Sequence, residues 1–180
     1  MAIRGGLRLN QLGVTLLVRD VAAAADFYRD VLGAEEIRRN FSLVPGGAPG
    51  PEALSAELRL GDAYLIVSRE NPRWAEAPRP DWPRAPQSAG GPSACFTLYV
   101  ADVDAVLARA IAAGASQQTA DGPQDTFWGD RVVQFHDPAG HVWRIQTRLE
   151  DVEADALPAR PAAARARHRA SRTGDGPAAG

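Results

Sequence analysis

The sequence predicts an α+β fold built from two tandem copies of a strand–helix–strands unit, and three observations carry that prediction. Gly13-Val14-Thr15-Leu16-Leu17-Val18-Arg19-Asp20 recurs, strand and cap alike, as Cys95-Phe96-Thr97-Leu98-Tyr99-Val100-Ala101-Asp102. Each copy is followed by an apolar helical stripe closed by a glycine, Gly33 in the first and Gly114 in the second. A glycine-led run, Gly61-Asp62-Ala63-Tyr64-Leu65-Ile66, lines up with Gly140-His141-Val142-Trp143-Arg144-Ile145 in the same order.

The first strand, Val14 to Val18, alternates so that Val14, Leu16 and Val18 share a face. Asp20 stands where its carboxylate accepts from first-turn amides, so a helix is expected over Val21 to Leu32. Its stripe is Val21, Ala24, Phe27, Tyr28 and Val31, with Gly33 at the left-handed end. A second strand is expected around Glu35 to Ser42, and Pro45 to Pro51 reads as an irregular loop. Ala53 to Leu60 and Ala63 to Ser68 read as strands about the Gly61-Asp62 turn. The stretch from Asn71 to Pro92 holds six prolines with Trp74 and Trp82, and is either a linker or a loop folded across a pocket. In the second unit the helical stripe is Val103, Val106, Leu107, Ala110 and Ile111. Asp137-Pro138 with Gly140 then turns a hairpin between Val132 to Phe135 and His141 to Gln146. The expected organisation is an extension over 1–8, units over 9–70 and 93–152 joined by 71–92, and a tail over 153–180. That Ala, Pro and Arg tail has too little apolar surface to offset the entropy of ordering it, although its arginines form a cluster suited to a polyanion.

Composition excludes several classes. A formal charge of −2 with mixed signs argues against a nucleic-acid surface. No run approaches the roughly 18 apolar residues that cross a bilayer, so no membrane is expected, and Met1 to Asn10 lacks the apolar core of a secretory signal. The single Cys95 excludes an internal disulfide and fits a reducing cytoplasm. All basic residues are Arg, which with the Ala, Pro and Gly content reads as codon bias rather than selection for guanidinium chemistry.

The run Asp26-Phe27-Tyr28-Arg29-Asp30-Val31-Leu32-Gly33 and the closing Asp137-Pro138-Ala139-Gly140-His141-Val142-Trp143 resemble the vicinal oxygen chelate superfamily, which includes glyoxalases, bleomycin-resistance proteins and extradiol dioxygenases. The resemblance spans roughly Leu9 to Asp151, and Trp128-Gly129-Asp130-Arg131 is similar to a run in small glyoxalase-like proteins. It implies two tandem βαβββ modules whose curved sheets enclose a cavity, and a homodimer as in many relatives. It also implies a divalent metal held by His, Gln or Glu at matching strand positions. Those positions in this sequence are Gly13, Leu65, Cys95 and Arg144. Gly and Leu carry no donor, and Arg is a cation that does not deprotonate. One thiolate does not suit a site of N and O donors. A register shift near Leu65 would bring in Glu57 and still leave too few ligands, so no metal and no cofactor is expected.

Candidate binding residues follow from strand parity. Trp143 and Ile145 should face the helices; Arg144 and Gln146 should face the concave side with Cys95, Thr97 and Tyr99, and with Thr15 and Leu17 of the first unit. A buried guanidinium there needs an anion, and its planar fork suits a carboxylate, phosphate or enolate. Cys95 reads as a small buried thiol. Trp74, Trp82 and Trp128 are either core fillers or stacking walls over a planar ligand. His136, Asp137 and His141 read as water-exposed turn residues, with Asp137 serving the turn's own hydrogen bonds. The expected ligand is a small aromatic or anionic organic molecule sequestered in the cavity. The alternative is a lyase, isomerase or dioxygenase-like enzyme, either without metal or with an unusual metal site.

Overall fold

The computed structural model describes residues 7, 10–45, 47–76, 79, 81–118 and 121–161. The expected polyanion-binding tail and most of the N-terminal extension lie outside them. Two sheets form. In the first, β1 (Gly13–Val18), β2 (Glu35–Leu43), β3 (Pro49–Leu60) and β4 (Ala63–Arg69) stand in the order β1-β4-β3-β2, with β1 parallel to β4. In the second, β5 (Cys95–Tyr99), β6 (Ser116–Gln117), β7 (Gln124–Asp125), β8 (Asp130–His136) and β9 (Val142–Arg148) give β5-β9-β8-β6, with β7 also on β8. The repeated element order therefore produces the repeated sheet, although the strands after the second helix shrink to β6 and β7.

Both helices start as their caps require. Asp20 accepts from Ala23 N at 3.0 Å and opens α1 (Val21–Asp30); Asp102 accepts from Ala105 N at 2.9 Å. A one-turn helix, α2 (Pro86–Ala89), lies between the sheets in sequence, and α3 (Val103–Ala112) follows the second cap. The first stripe is buried as expected. In the second, Val103, Val106 and Ala110 are buried, but Ile111 is 45 % exposed, at the edge of a helix that packs mainly on β8 and β9.

The helices form a layer between the two sheets. α1 packs on β2, β3 and β4, while its Phe27 and Tyr28 rings meet Phe135 and Trp143 of the second sheet at 6.4 and 5.5 Å. α3 packs on β8 and β9, and Arg109 Nη2 donates to Val31 O beyond α1 at 3.2 Å. One core results, in which Leu16, Val18, Leu58 and Val67 from the first sheet join Phe135, Trp143 and Ile145 from the second. The opposite faces of both sheets consequently point away from each other and toward water.

The proline-rich stretch at 45–51 is more regular than expected. β3 begins at Pro49, and only Val44 to Ala48 make the turn, closed by Val44 N to Ala48 O at 3.0 Å. Proline is tolerated there because β4 pairs only with Ser55 to Leu60, so this end of β3 has a single neighbour and lacks one ladder to satisfy. The 71–92 segment folds back on the molecule: Gln87 Nε2 donates to Pro138 O at 2.8 Å, Pro86 is buried against Gly140 of the hairpin turn, and Ala85 N donates to Glu70 Oε2 at 3.2 Å.

Candidate functional site

Strand ladders place the outward side chains. On the second sheet Cys95 pairs with Val142, Thr97 with Arg144, and Tyr99 with Gln146; across β8, Gln134 pairs with Arg144 and Asp130 with Arg148. Cys95, Thr97, Tyr99 and Arg144 are brought together on one face, with Trp143 and Ile145 turned to the core as parity predicts. On a single chain this face is open. Arg144 is exposed rather than buried, and Cys95 is exposed rather than a space-filling thiol, because the helices cover only the other side. With its amide oxygen turned toward Arg144, Gln134 accepts from Nε at 3.3 Å and Nη2 at 3.1 Å; its amide also lies 3.6 Å from Cys95 Sγ. Among the described residues no carboxylate lies within ion-pair distance of Arg144.

Behind Tyr99 sits a group that parity alone does not reveal. Asp130 is 1 % exposed and, with Val142 and Gln146, is buried on the face where Cys95, Thr97, Tyr99 and Arg144 are exposed. Its Oδ2 accepts from Tyr99 Oη at 2.6 Å and from Trp128 Nε1 at 3.0 Å, while Oδ1 accepts from Arg148 Nε at 2.6 Å. Burial pushes this carboxyl up, but the hydrogen bonds from Tyr99, Arg148 and Trp128 outweigh that and hold it below the usual carboxylate range. Arg148 also lies 5.5 Å from the Tyr99 ring centroid, over its face. Counting back from Gln134 by twos, and seeing Arg148 opposite, would have found Asp130.

The first sheet carries a different cluster. Thr15 pairs with Ile66, Ile66 with Glu57, and Glu57 with Arg38, all on the outward face. Glu57 is 8 % exposed, accepting from Arg38 Nε at 2.6 Å and from the Tyr64 hydroxyl. Burial again opposes ionisation, but Tyr64 and Arg38 keep Glu57 below its ordinary range, while burial and Glu57 push the Tyr64 phenol up to about 12. The ladders also correct the repeat alignment. Gly13 pairs with Tyr64 as Cys95 pairs with Val142, so Ile66, not Leu65, matches Arg144, and Leu65 is buried in the core. Counted from the turn glycine, the residue paired with the start of the opening strand is the third in the first unit (Tyr64) and the second in the second unit (Val142), and a one-residue slip sends every side chain to the other face.

The remaining expected residues divide. Thr15 and Trp82 meet at a cleft of about 410 Å³ between β1 and the start of β5, with Leu17, Phe96 and His141 in its walls. They are thus grouped apart from the Arg144 row. Trp128 joins that row through Asp130, and nothing is described of the Trp74 side chain. The turn residues are not exposed as expected. Asp137 is 4 % exposed and accepts from Tyr28 Oη at 2.7 Å, Trp143 Nε1 at 3.0 Å and His141 N at 2.9 Å. His141 is buried, with Nε2 3.0 Å from Leu17 O. Both tie the closing hairpin to the first unit, a contact between segments more than 100 residues apart that local turn chemistry does not encode.

The positions expected to hold a metal do not fit one. Gly13, Ile66 (or Leu65), Cys95 and Arg144 supply one sulfur and a cation, and among the described residues no three His, Cys, Asp or Glu gather where an ion could sit. The Leu7 side chain moreover lies within 2.7 Å of where a side chain at Gly13 would begin.

Two layers of outward-facing sheet on a shared helical core define the class. Residues 8–145 match the glyoxalase/bleomycin resistance protein/dioxygenase superfamily model, and the chain belongs to that superfamily. It is 34 % identical over 144 residues to an uncharacterized protein of Mycobacterium bovis, covering 80 % of this chain and 87 % of that one. Among solved structures, TioX from Micromonospora sp. ML1 is 26 % identical with a TM-score of 0.51, covering 78 % of this chain and 99 % of TioX. The fosfomycin resistance protein FosX of Listeria monocytogenes, complexed with Mn(II) and sulfate, is 14 % identical with a TM-score of 0.51, covering 78 % and 92 %, and shares the fold. No helix among the described residues is long and apolar enough to cross a membrane.

Proposed function

We propose that the protein binds and sequesters a small organic anion on the outward face of its second sheet, without a metal, in the manner of a resistance protein in a reducing cytoplasm. The observation that carries this reading is Arg144: a guanidinium in an outward-facing row, hydrogen-bonded to the neutral Gln134 and without a carboxylate partner among the described residues. A cation so placed leaves its charge for a ligand. A second copy of the chain closing each open face completes the pocket, because a face left in water would weaken the ion pair through solvent screening.

Isothermal titration against planar antibiotics and acidic metabolites should find a ligand whose affinity falls about tenfold or more in Arg144→Ala, the loss of a charge-assisted pair. Binding indifferent to Arg144, or none across the panel, sinks the reading. Stoichiometric Zn, Ni, Fe or Mn retained after dialysis would overturn its metal independence.

A metal-independent enzyme is the second reading. Glu57 favours it: a carboxylate kept ionised on the first sheet's outward face by Arg38 and the Tyr64 hydroxyl offers a fixed negative charge that can stabilise positive charge developing on a substrate. Turnover of a bound compound, lost in Glu57→Gln, would establish it; a ligand recovered unchanged would exclude it.

A further inference from the structure

Arg144 alone selects any anion. The geometry points to a narrower class: we infer that Asp130 is a positioning residue which builds an aromatic clamp from Tyr99 and Trp128, so that the ligand is a planar aromatic acid. This rests on the function proposed above and specifies its ligand.

Tyr99 Oη and Trp128 Nε1 converge on the same oxygen, Oδ2 of Asp130, at 2.6 and 3.0 Å. The polar end of each ring is therefore tied inward, and the apolar remainder faces out: Tyr99 is 52 % exposed and Trp128 40 %. Two large rings with their hydrogen bonds satisfied at a carboxylate that is itself 1 % exposed are a fixed surface rather than two solvated side chains. Arg148 braces the arrangement, bonded to Oδ1 at 2.6 Å and laid over the Tyr99 ring. Phe127 packs edge-on to Trp128 with centroids 4.9 Å apart, a second contact on the indole. The backbone contributes as well. Gly129, at φ +92, lets Leu149 N and Glu150 N both bond to its carbonyl, which anchors the Trp128-Gly129-Asp130 run to the end of β9.

Rings locked before binding lose little entropy when a ligand stacks on them, so aromatic surface there is converted into affinity with a low ordering cost. Arg144 stands two residues back along β9 from the row of Tyr99, about 7 Å by strand geometry, with its own side chain to span part of that gap. A flat ring on the clamp with an acid group on or next to the ring satisfies both. An aliphatic acid reaches Arg144 alone, because Arg148 is already paired with Asp130 and Asp151 and Arg144 is the cation of this row hydrogen-bonded to a neutral partner.

The test compares 2-naphthoate with cyclohexanecarboxylate by isothermal titration on the full chain. Naphthoate should bind about five- to tenfold more tightly, the increment expected of ring stacking. Arg144→Ala should weaken both ligands alike. Trp128→Leu and Asp130→Asn should weaken only naphthoate, erasing the preference while cyclohexanecarboxylate affinity stays within twofold; a merely structural role for Asp130 would lower both. Tyr99→Phe, an exposed position that keeps the ring and deletes only the bond to Asp130, serves if Asp130→Asn does not fold, and should reduce the preference by about half or more. Equal, Arg144-dependent affinity for the two acids overturns the clamp and leaves the proposed function standing. Absence of Arg144-dependent binding for both acids overturns the clamp, and the same result across the wider panel overturns the proposed function as well.

Discussion

Two carboxylates on the outward faces, Asp130 and Glu57, are buried without neutralising themselves, and each does so by collecting a tyrosine and an arginine. Leaving an isolated carboxylate out of water costs several kcal/mol, of the order of 2–7 for a polar group alone, so donors must be aimed at it before burial is tolerable. Three donors on Asp130 and two residues on Glu57 meet that demand, and the result is that both carboxyls are held below the ordinary carboxylate range and stay ionised. Because the folded state holds these groups below their unfolded value near ~4, their contribution is complete above that pH and is lost as pH falls through the depressed folded value. Chemical denaturation between pH 5 and 2 should therefore show stability falling with acid, and Asp130→Asn should flatten that slope. Equal slopes in the two proteins would contradict the ionised state assigned to Asp130. Asp137 uses the same device for another end: its three donors come from α1, β9 and the turn, so one carboxylate joins the two units. Burial and the Asp137 charge hold the Tyr28 phenol well above its ordinary value, so it stays a donor.

At the scale of elements, caps, stripes and hairpin turns were legible because each depends on residues within four or five positions. Asp20 and Asp102 cap as read, and the stripe of α1 is buried as read. Register across the hairpins was not legible to one residue, because the turns at Gly61-Asp62 and Asp137 to Gly140 differ in length and only the ladder shows by how much. In the sequence the Trp128-Gly129-Asp130 run carries a resemblance but no local physical reason. Its reason is backbone: a Cβ at Gly129 would come within 2.4 Å of Glu150 O, at a φ of +92 that other residues resist. Gly129→Ala should cost at least about 2 kcal/mol in thermal or denaturant unfolding, since positive φ and a backbone clash add. A variant within about 0.5 kcal/mol of wild type would mean that the loop moves aside at no cost.

For the whole molecule, the placement of the helices between the sheets decides where ligands have access. On one chain the outward faces keep Thr15, Cys95, Thr97, Tyr99 and Arg144 exposed while Glu57, Tyr64, Asp130 and Gln146 are buried among them. The proposed pairing of two chains predicts a mass twice that of the chain by light scattering at micromolar concentration, with Tyr99 and Trp128 more protected from labelling than 52 % and 40 % exposure would allow. A monomer at all concentrations would refute the pairing. By itself the sequence determined the duplicated unit, its helix caps, the inward set Leu16, Val18, Trp143 and Ile145, and the row of Cys95, Thr97, Tyr99 and Arg144, since short-range periodicity and capping chemistry decide all of these. Tertiary structure alone decided that Asp137 and His141 are an interlock, that Ile66 matches Arg144, that Trp82 and Thr15 sit apart from Arg144, and that Asp130 gathers Tyr99, Trp128 and Arg148. Each of these depends on which distant segment lies opposite, a choice made by the packing of one shared core rather than by any local pattern.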